Sequence, residues 1–154
     1  MKKIVVLISG SGSNMVAIKN AIDNGIISDT ELSCVICNEP EAGGIEKAKH
    51  LGLPTQILSH KNFKTRELFD DELVAAIKNI NPDLIIDLHD VLRTKILRMF
   101  LAYKFNRISV IDKGRKEKKS LINGSIFRRL KLMHQRYADV FSLEKMNINL
   151  ELFN

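Results

Sequence analysis

The sequence predicts an α/β protein with a doubly wound, mostly parallel sheet. Apolar runs rich in β-branched residues alternate with segments of helical period, and the connections between them are short. A chain of 154 residues that is 45% hydrophobic fits one domain with a real core. Ligands of such sheets bind at the carboxyl ends of the strands, so the loops that follow strands are where function is sought.

The first strand is predicted at residues 4–8, an unbroken apolar run typical of a strand covered on both faces. It ends at Gly10-Ser-Gly-Ser-Asn14, where Ser13 or Asn14 is expected to cap the next helix. That helix stops at Asn24-Gly25. Its apolar stripe consists of Met15, Ile18, Ala21 and Ile22.

The same alternation continues to residue 87. The predicted elements are a strand at 32–37, a helix from Gly43-Gly44 to about Leu51-Gly52, a strand at 56–58, a helix from about 66 to the residue before Pro82, and a strand at 83–87. The second long helix is expected to bury Leu68, Leu73, Ala76, Ile77 and Ile80. Parallel strands then bring four loops to one edge of the sheet, at residues 10–14, 38–44, 59–65 and 87–90.

Charge divides the chain into two unlike parts. Residues 1–90 hold 9 Lys and Arg against 13 Asp and Glu, whereas residues 91–154 hold 15 against 5. We therefore predict an α/β nucleotide-binding half over 1–90, and over 91–154 a basic, divergent segment of the same domain or a partly disordered tail. An amphipathic helix is expected over 91–103 and a strand over 107–111, whereas the charged run Lys113–Lys119 is expected to be a solvated or disordered loop. The apolar face of that helix is assigned to Leu92, Ile96, Met99 and Phe100.

Cysteine usage and hydropathy limit the setting in which the protein works. Cys34 and Cys37 are three residues apart in a predicted strand, which places them on opposite faces, so we expect buried reduced thiols. No apolar run approaches the roughly 18 residues of a membrane helix, and the first residues lack the order of a secretion signal. A cytoplasmic location and no membrane partner are expected.

The Gly10–Asn14 segment is the best candidate for a binding site. Glycines let the backbone turn its N–H groups toward a ligand, and a helix start attracts anions, so the segment suits a phosphate. It does not fit the dinucleotide fingerprint, because Met15 stands where the third glycine belongs, and it lacks the Lys of a Walker loop. The alternative is a glycine-rich turn with a purely structural role.

Several spaced blocks resemble one enzyme family, the folate-dependent phosphoribosylglycinamide formyltransferases (GAR transformylases). The blocks are residues 1–18, 35–39, 44–54, 66–73 and 82–86. The resemblance implies the formyltransferase fold and transfer of a formyl group from 10-formyltetrahydrofolate to glycinamide ribonucleotide, a small-molecule substrate, in purine biosynthesis. It also implies that Gly12, Ser13 and Asn14 hold the phosphate side of the ribonucleotide and that Arg66 lies at the folate side. A monomer or homodimer without a resident metal is expected.

The family pattern changes after residue 86, so the fold is expected to have a truncated or altered C-terminal part. The family's Asn-Ile-His-Pro is replaced by Asn106-Arg-Ile-Ser, which leaves Asn106 as the candidate catalytic amide and Ile108 in place of the histidine. The later Asp-x-Gly is missing as well. Amine attack on a formyl group needs a donor for the oxyanion and an acceptor for the ammonium proton, and this set is broken here.

Three alternatives follow from this change. The chain is a poorly active transformylase, or a non-catalytic nucleotide-phosphate-binding or regulatory protein whose basic tail binds a partner, or the product of a gene whose reading frame changed near Ile86. His89-Asp90 is a poor substitute for the missing groups because adjacent residues at a strand end point apart. The basic run Lys113–Lys119 admits nucleic acid, but it has no interleaved aromatic residues, and a nucleic-acid partner is not expected.

Overall fold

The computed structural model describes residues 1–87, 92–102, 105 and 108–143. The strands are β1 Lys2–Ile8, β2 Thr30–Cys37, β3 Thr55–Ile57, β4 Ile85–Asp87 and β5 Ile108–Val110. The α-helices are α1 Ser13–Asp23, α2 Gly43–His50, α3 Arg66–Ile80, α4 Leu92–Ala102, α5 Arg115–Ile122 and α6 Met133–Leu143. A short 3-10 turn covers His60–Asn62.

All five strands run parallel. β2 pairs with β1 on one side and with β3 on the other, and β4 pairs with β5. The three-stranded and the two-stranded parts of the sheet meet at β1 and β4. There Ile4 forms a bridge with Leu84, and the Asp83 N–H donates to the Lys3 carbonyl at 3.0 Å. The resulting order β3-β2-β1-β4-β5 reverses direction between β1 and β4, which is the switch point of a doubly wound sheet. The predicted fold class is confirmed.

Each face of the sheet carries its own core. One core joins Ile4 and Val35 to Met15 of α1 and Ala48 of α2. The other joins Cys34 and Ile36 to the buried residues of α3 and α4, among them Phe69, Leu73, Ile77, Leu97 and Leu101. Cys34 and Cys37 are both buried and free, as predicted. Because the crossovers that leave β1 and β4 cover opposite faces, the strand ends at the switch point stay open between the helix starts.

Some expected apolar positions of two helices point outward. Among the described side chains of α4, Leu97 and Leu101 are buried, whereas Met99 and Phe100 are 74% and 50% exposed, so the assignment of Met99 and Phe100 to the apolar face is wrong. In α3 three of the five expected residues are buried, but Leu68 is 51% exposed, and Phe69 is buried beside them.

The charged run Lys113–Lys119 does not form the expected loop. Arg115–Ile122 forms α5, and α6 follows in a segment where no period was visible. The cause is Arg136, which is 4% exposed and occupies an inward position of α6, where a periodic pattern calls for an apolar side chain. Its guanidinium donates to Glu117 of α5 at 2.5 Å and to the Asp112 carbonyl at 3.1 Å. A charged pair therefore joins these two helices.

The tail also reaches the first core through Phe141, which packs there together with Ile4 and Met15. The division of the chain at residue 90 stays a prediction. No helix among the described residues is long and apolar enough to cross a membrane.

Gly114 is expected to be intolerant of any side chain. It has φ +63°, and a methyl group there would overlap the Arg136 guanidinium. Gly124 has φ +71° but only an ordinary contact with Phe127 at 3.8 Å, so Gly124→Ala is the matched control. Both variants bear the left-handed backbone cost of about 1–2 kcal/mol. Urea unfolding should show a larger loss for Gly114→Ala, and equal losses would contradict the packing of Arg136.

The Glu117–Arg136 pair should make stability depend on acid. The hydrogen bond from Arg136 holds the pKa of Glu117 below its ordinary value of 4.5. A carboxyl whose pKa is lower in the folded state stabilises fully above its unfolded pKa and loses that effect as the pH falls through the folded pKa. The free energy of unfolding should therefore exceed that of Glu117→Gln at pH 7, and the difference should shrink below about pH 4.5. A difference that is constant with pH would refute the pair.

Candidate functional site

The turn from β1 into α1 forms a helix start that is open to solvent. Gly12, not Ser13 or Asn14, is the N-cap residue, in the left-handed conformation with φ 68° and ψ 20°. The sequence expectation of a side-chain cap is wrong, because no side chain caps this helix. The first turn carries no acidic residue. Its leading N–H groups have no acceptor within the helix, so they and the helix dipole are available to an anion.

Ser13 and Asn14 lie in that first turn, and both are exposed. Their side chains do not satisfy the helix start, which leaves a hydroxyl and an amide beside the open N–H groups. The three residues predicted to hold the phosphate side, Gly12, Ser13 and Asn14, thus form the cap and the first two positions of one helix. Hydroxyl, amide and backbone N–H groups together are the usual ligands of a phosphate.

The start of α2 fixes the position of this turn. The Gly44 N–H donates to the Gly10 carbonyl at 3.0 Å. A methyl group on Gly44 would lie 2.8 Å from that carbonyl oxygen and 3.0 Å from the Gly12 Cα. Two backbones therefore touch where neither residue has room for a side chain. The sequence signal for this contact is the Gly43-Gly44 pair at a helix start.

Polar contacts tie the second strand-end loop to its neighbours. The Asn38 N–H donates to the Ile8 carbonyl at 3.4 Å, and the His60 Nδ1 lies 3.3 Å from the Asn38 carbonyl oxygen. Lys61 pairs with Glu39 at 2.7 Å. Their hydrogen bond lowers the pKa of Glu39 and raises the pKa of Lys61, so both stay charged at neutral pH. The loops after β1, β2 and β3 thus form one connected edge.

Arg66 lies at the other end of this edge. It is the first residue of α3, is exposed, and follows Thr65, whose hydroxyl accepts from the Leu68 N–H at 3.4 Å. The carboxyl ends of β3 and β1 are two strand spacings apart, about 10 Å. Arg66 and the Gly12 turn are therefore placed on the same edge, without direct contact, and an elongated ligand could reach both.

The candidate catalytic residue Asn106 lies outside the described residues, as do His89 and Asp90. Ile108, which the resemblance aligns with the family histidine, begins β5 beside Ile85 and packs against the second core. Its side chain therefore fills space between sheet and helices. Among the described residues no group of three His, Cys, Asp or Glu could hold a metal ion.

The structure is an α/β protein whose first helix starts, without a side-chain cap, at the carboxyl edge of a parallel sheet. A family model described as formyl transferase matches residues 2–98. The chain belongs to the formyl transferase family.

Relatives and solved structures agree with this assignment. The chain is 40% identical over 83 residues to the phosphoribosylglycinamide formyltransferase of Escherichia coli, and 41% identical over 87 residues to the trifunctional purine biosynthetic protein adenosine-3 of Drosophila melanogaster. Each match covers 54% of this chain, but only 39% of the Escherichia coli protein and 6% of the Drosophila protein. The chain thus spans well under half the length of these relatives.

The structural likeness extends further along the chain than these sequence matches. The glycinamide ribonucleotide transformylase 1 of Geobacillus kaustophilus aligns with 94% of this chain and 93% of its own, at a TM-score of 0.58 and 18% identity. The phosphoribosylglycinamide formyltransferase of Campylobacter jejuni aligns with 93% and 91%, at a TM-score of 0.52 and 26% identity. The likeness to the Geobacillus protein shows a shared fold.

Gly44→Ala is expected to displace the Gly10–Asn14 turn and weaken anion binding. The matched control is Gly43→Ala, because a methyl group there meets nothing within 4 Å. We expect Gly44→Ala to reduce affinity for inorganic phosphate roughly tenfold, equivalent to about 1.4 kcal/mol, and Gly43→Ala to leave it unchanged. The measurement is the phosphate-dependent rise of the unfolding temperature, and equal responses of the two variants would contradict the contact.

Proposed function

We propose that the chain binds glycinamide ribonucleotide as a phosphoribosylglycinamide formyltransferase does, with the phosphate at Gly12, Ser13 and Asn14. The observation that carries the proposal is the α1 helix start, whose cap is a left-handed glycine and whose N–H groups no side chain covers. Family membership and the Escherichia coli relative supply the substrate class. A phosphate bound there would accept from the backbone and face the positive end of the helix.

The formyl donor in this proposal is 10-formyltetrahydrofolate, and Arg66 belongs to its side of the site. Arg66 is an exposed cation at the start of α3, and a guanidinium suits the carboxylates of a folate. Leu7 of β1 and Val110 of β5 are 41% and 36% exposed toward the carboxyl end of the sheet, which leaves apolar surface for a flat ring system.

Formyl transfer, unlike ligand binding, needs a group that moves a proton. The ribonucleotide amine forms a bond to the formyl carbon, the bond from that carbon to the folate nitrogen breaks, and the amine proton passes by way of a base to the leaving folate nitrogen. By the sequence resemblance Ile108 takes the place of the family histidine, and an isoleucine side chain cannot exchange that proton. We therefore propose that ligand binding persists while turnover stays close to the uncatalysed rate.

Calorimetric titration with glycinamide ribonucleotide tests the binding. The wild-type chain should bind, and Gly12→Ala should not, because its methyl group would lie 2.9 Å from the Gly44 Cα. Gly25→Ala is the control, since Gly25 shares the positive φ but has nothing within 4 Å. A wild-type chain that gives no binding heat would overturn the proposal.

Turnover is measured on the same preparations by mass spectrometry of the formylated ribonucleotide. Wild-type protein should produce it no faster than Gly12→Ala. A wild-type rate many times that of the variant would refute the low-turnover part and leave the binding part intact.

The second candidate is a non-catalytic phosphate-binding or regulatory protein, favoured by Ile108 and by the basic helix α5. Titration with a folate analogue separates the two candidates. Binding of both ligands supports the transformylase site, whereas ribonucleotide binding alone supports the regulator. A cytoplasmic location and a monomeric or homodimeric state accompany both as predictions.

A further inference from the structure

The surface of α5 combines clustered cations with bare apolar side chains. Residues 113–131 contain eight Lys and Arg and one acidic residue, Glu117. The Glu117 carboxylate forms ion pairs with Arg136 and Arg128. The cations of this stretch outnumber its acid by seven, and Lys131 among them pairs with Asp139 outside it. This surface lies in the tail and is separate from the β1–α1 turn.

One face of α5 organises this charge. Arg115, Lys118, Lys119 and Ile122 recur at positions i, i+3, i+4 and i+7, which lie on one side of a helix, and all four are exposed. The opposite side holds Glu117 against Arg136. We call the exposed set the cationic face.

Apolar groups stand within and beside the cationic face. Ile122 is 83% exposed, and Phe127, in the loop after α5, is 90% exposed. The loop is ordered by backbone hydrogen bonds from Ser125 and Ile126 to the Ser120 carbonyl, at 2.8 and 3.3 Å. Phe127 is therefore presented by a defined turn close to the end of the helix.

We infer that the cationic face, with Ile122 and Phe127, binds the surface of an anionic lipid bilayer. Lys and Arg near such a surface are attracted by its negative potential, and apolar side chains enter the boundary between head groups and acyl chains. Binding at the surface needs no spanning helix. An anionic lipid surface is complementary both to the cations of this face and to its exposed apolar side chains.

A single-stranded nucleic acid fits the same face less well. Phosphates attract the cations and a base can stack on Phe127, but Ile122 is aliphatic and gives a base a poorer stacking surface than an aromatic ring. A bilayer interface accepts an aliphatic side chain in the middle of a cationic patch. The exposed Ile122 among the cations therefore favours a bilayer.

Vesicle co-sedimentation of the full chain tests the proposal. Vesicles of equal parts phosphatidylserine and phosphatidylcholine should bind the chain, and vesicles of phosphatidylcholine alone should not. Added salt should weaken the binding because it screens exposed charges. Lys118→Gln and Lys119→Gln should each reduce the partition coefficient roughly fivefold, and Ile122→Ser or Phe127→Ser on the order of tenfold.

Matched controls are available elsewhere on the chain. Met99→Ser removes an apolar side chain of similar exposure, 74%, on α4, which covers the other core. Lys47→Gln and Lys49→Gln remove exposed cations of α2. These variants should bind vesicles as the wild type does, and all variants should unfold at the wild-type temperature because the altered side chains are exposed.

Four outcomes would overturn the inference. They are no binding to anionic vesicles, equal binding to neutral vesicles, a loss in the control variants as large as in the α5 variants, and unchanged binding after Ile122→Ser and Phe127→Ser. Fluorescence anisotropy with single-stranded RNA completes the test. Tight RNA binding without vesicle binding would assign the face to nucleic acid.

Discussion

The fold depends on the contact between β1 and the start of β4, which joins the two parts of the sheet. The Lys3 N–H donates to the Asp83 carboxylate at 2.8 Å, the Asp83 N–H donates to the Lys3 carbonyl at 3.0 Å, and Ile4 bridges Leu84. These few bonds unite a three-stranded and a two-stranded sheet. They also create the reversal of strand order that leaves the carboxyl edge open for a ligand. The Asp83 carboxylate, in the connection between α3 and β4, thus holds the start of β1, whereas the candidate site lies after the end of β1.

Two kinds of interaction hold the chain together. Apolar side chains from both parts of the chain fill the cores on the two sheet faces, and the glycines of two helix starts touch through their backbones. The contact between α5 and α6 relies instead on an enclosed guanidinium, which pairs with Glu117 and donates to the Asp112 carbonyl. An enclosed cation stabilises only while its partners stay in place, so this contact is sensitive to the loss of a single carboxylate.

The sequence was sufficient for the doubly wound parallel sheet and for the glycine turn between β1 and α1, because those depend on local periodicity and on glycine. It was insufficient where contacts between elements decide. Met99 and Leu97 are both apolar, and only the packing against the sheet shows which of them is buried. Arg136 hides the period of α6, since a buried charge breaks the apolar pattern from which helices are predicted. The cap of α1 was assigned to side chains, although the backbone of Gly12 fills that role.

The two cysteines of β2 acquire a use from their placement. Cys34 faces the second core, and burial raises the pKa of its thiol, whereas Cys37, three residues on, faces the other side of the strand and is fully buried. A reagent can reach neither thiol until the structure around it opens. Cys34 therefore reports on the opening of the second core, and Cys37, whose thiol donates to the Glu39 carbonyl, reports on the carboxyl end of β2. Their labelling rates would show whether these two regions open together or one after the other.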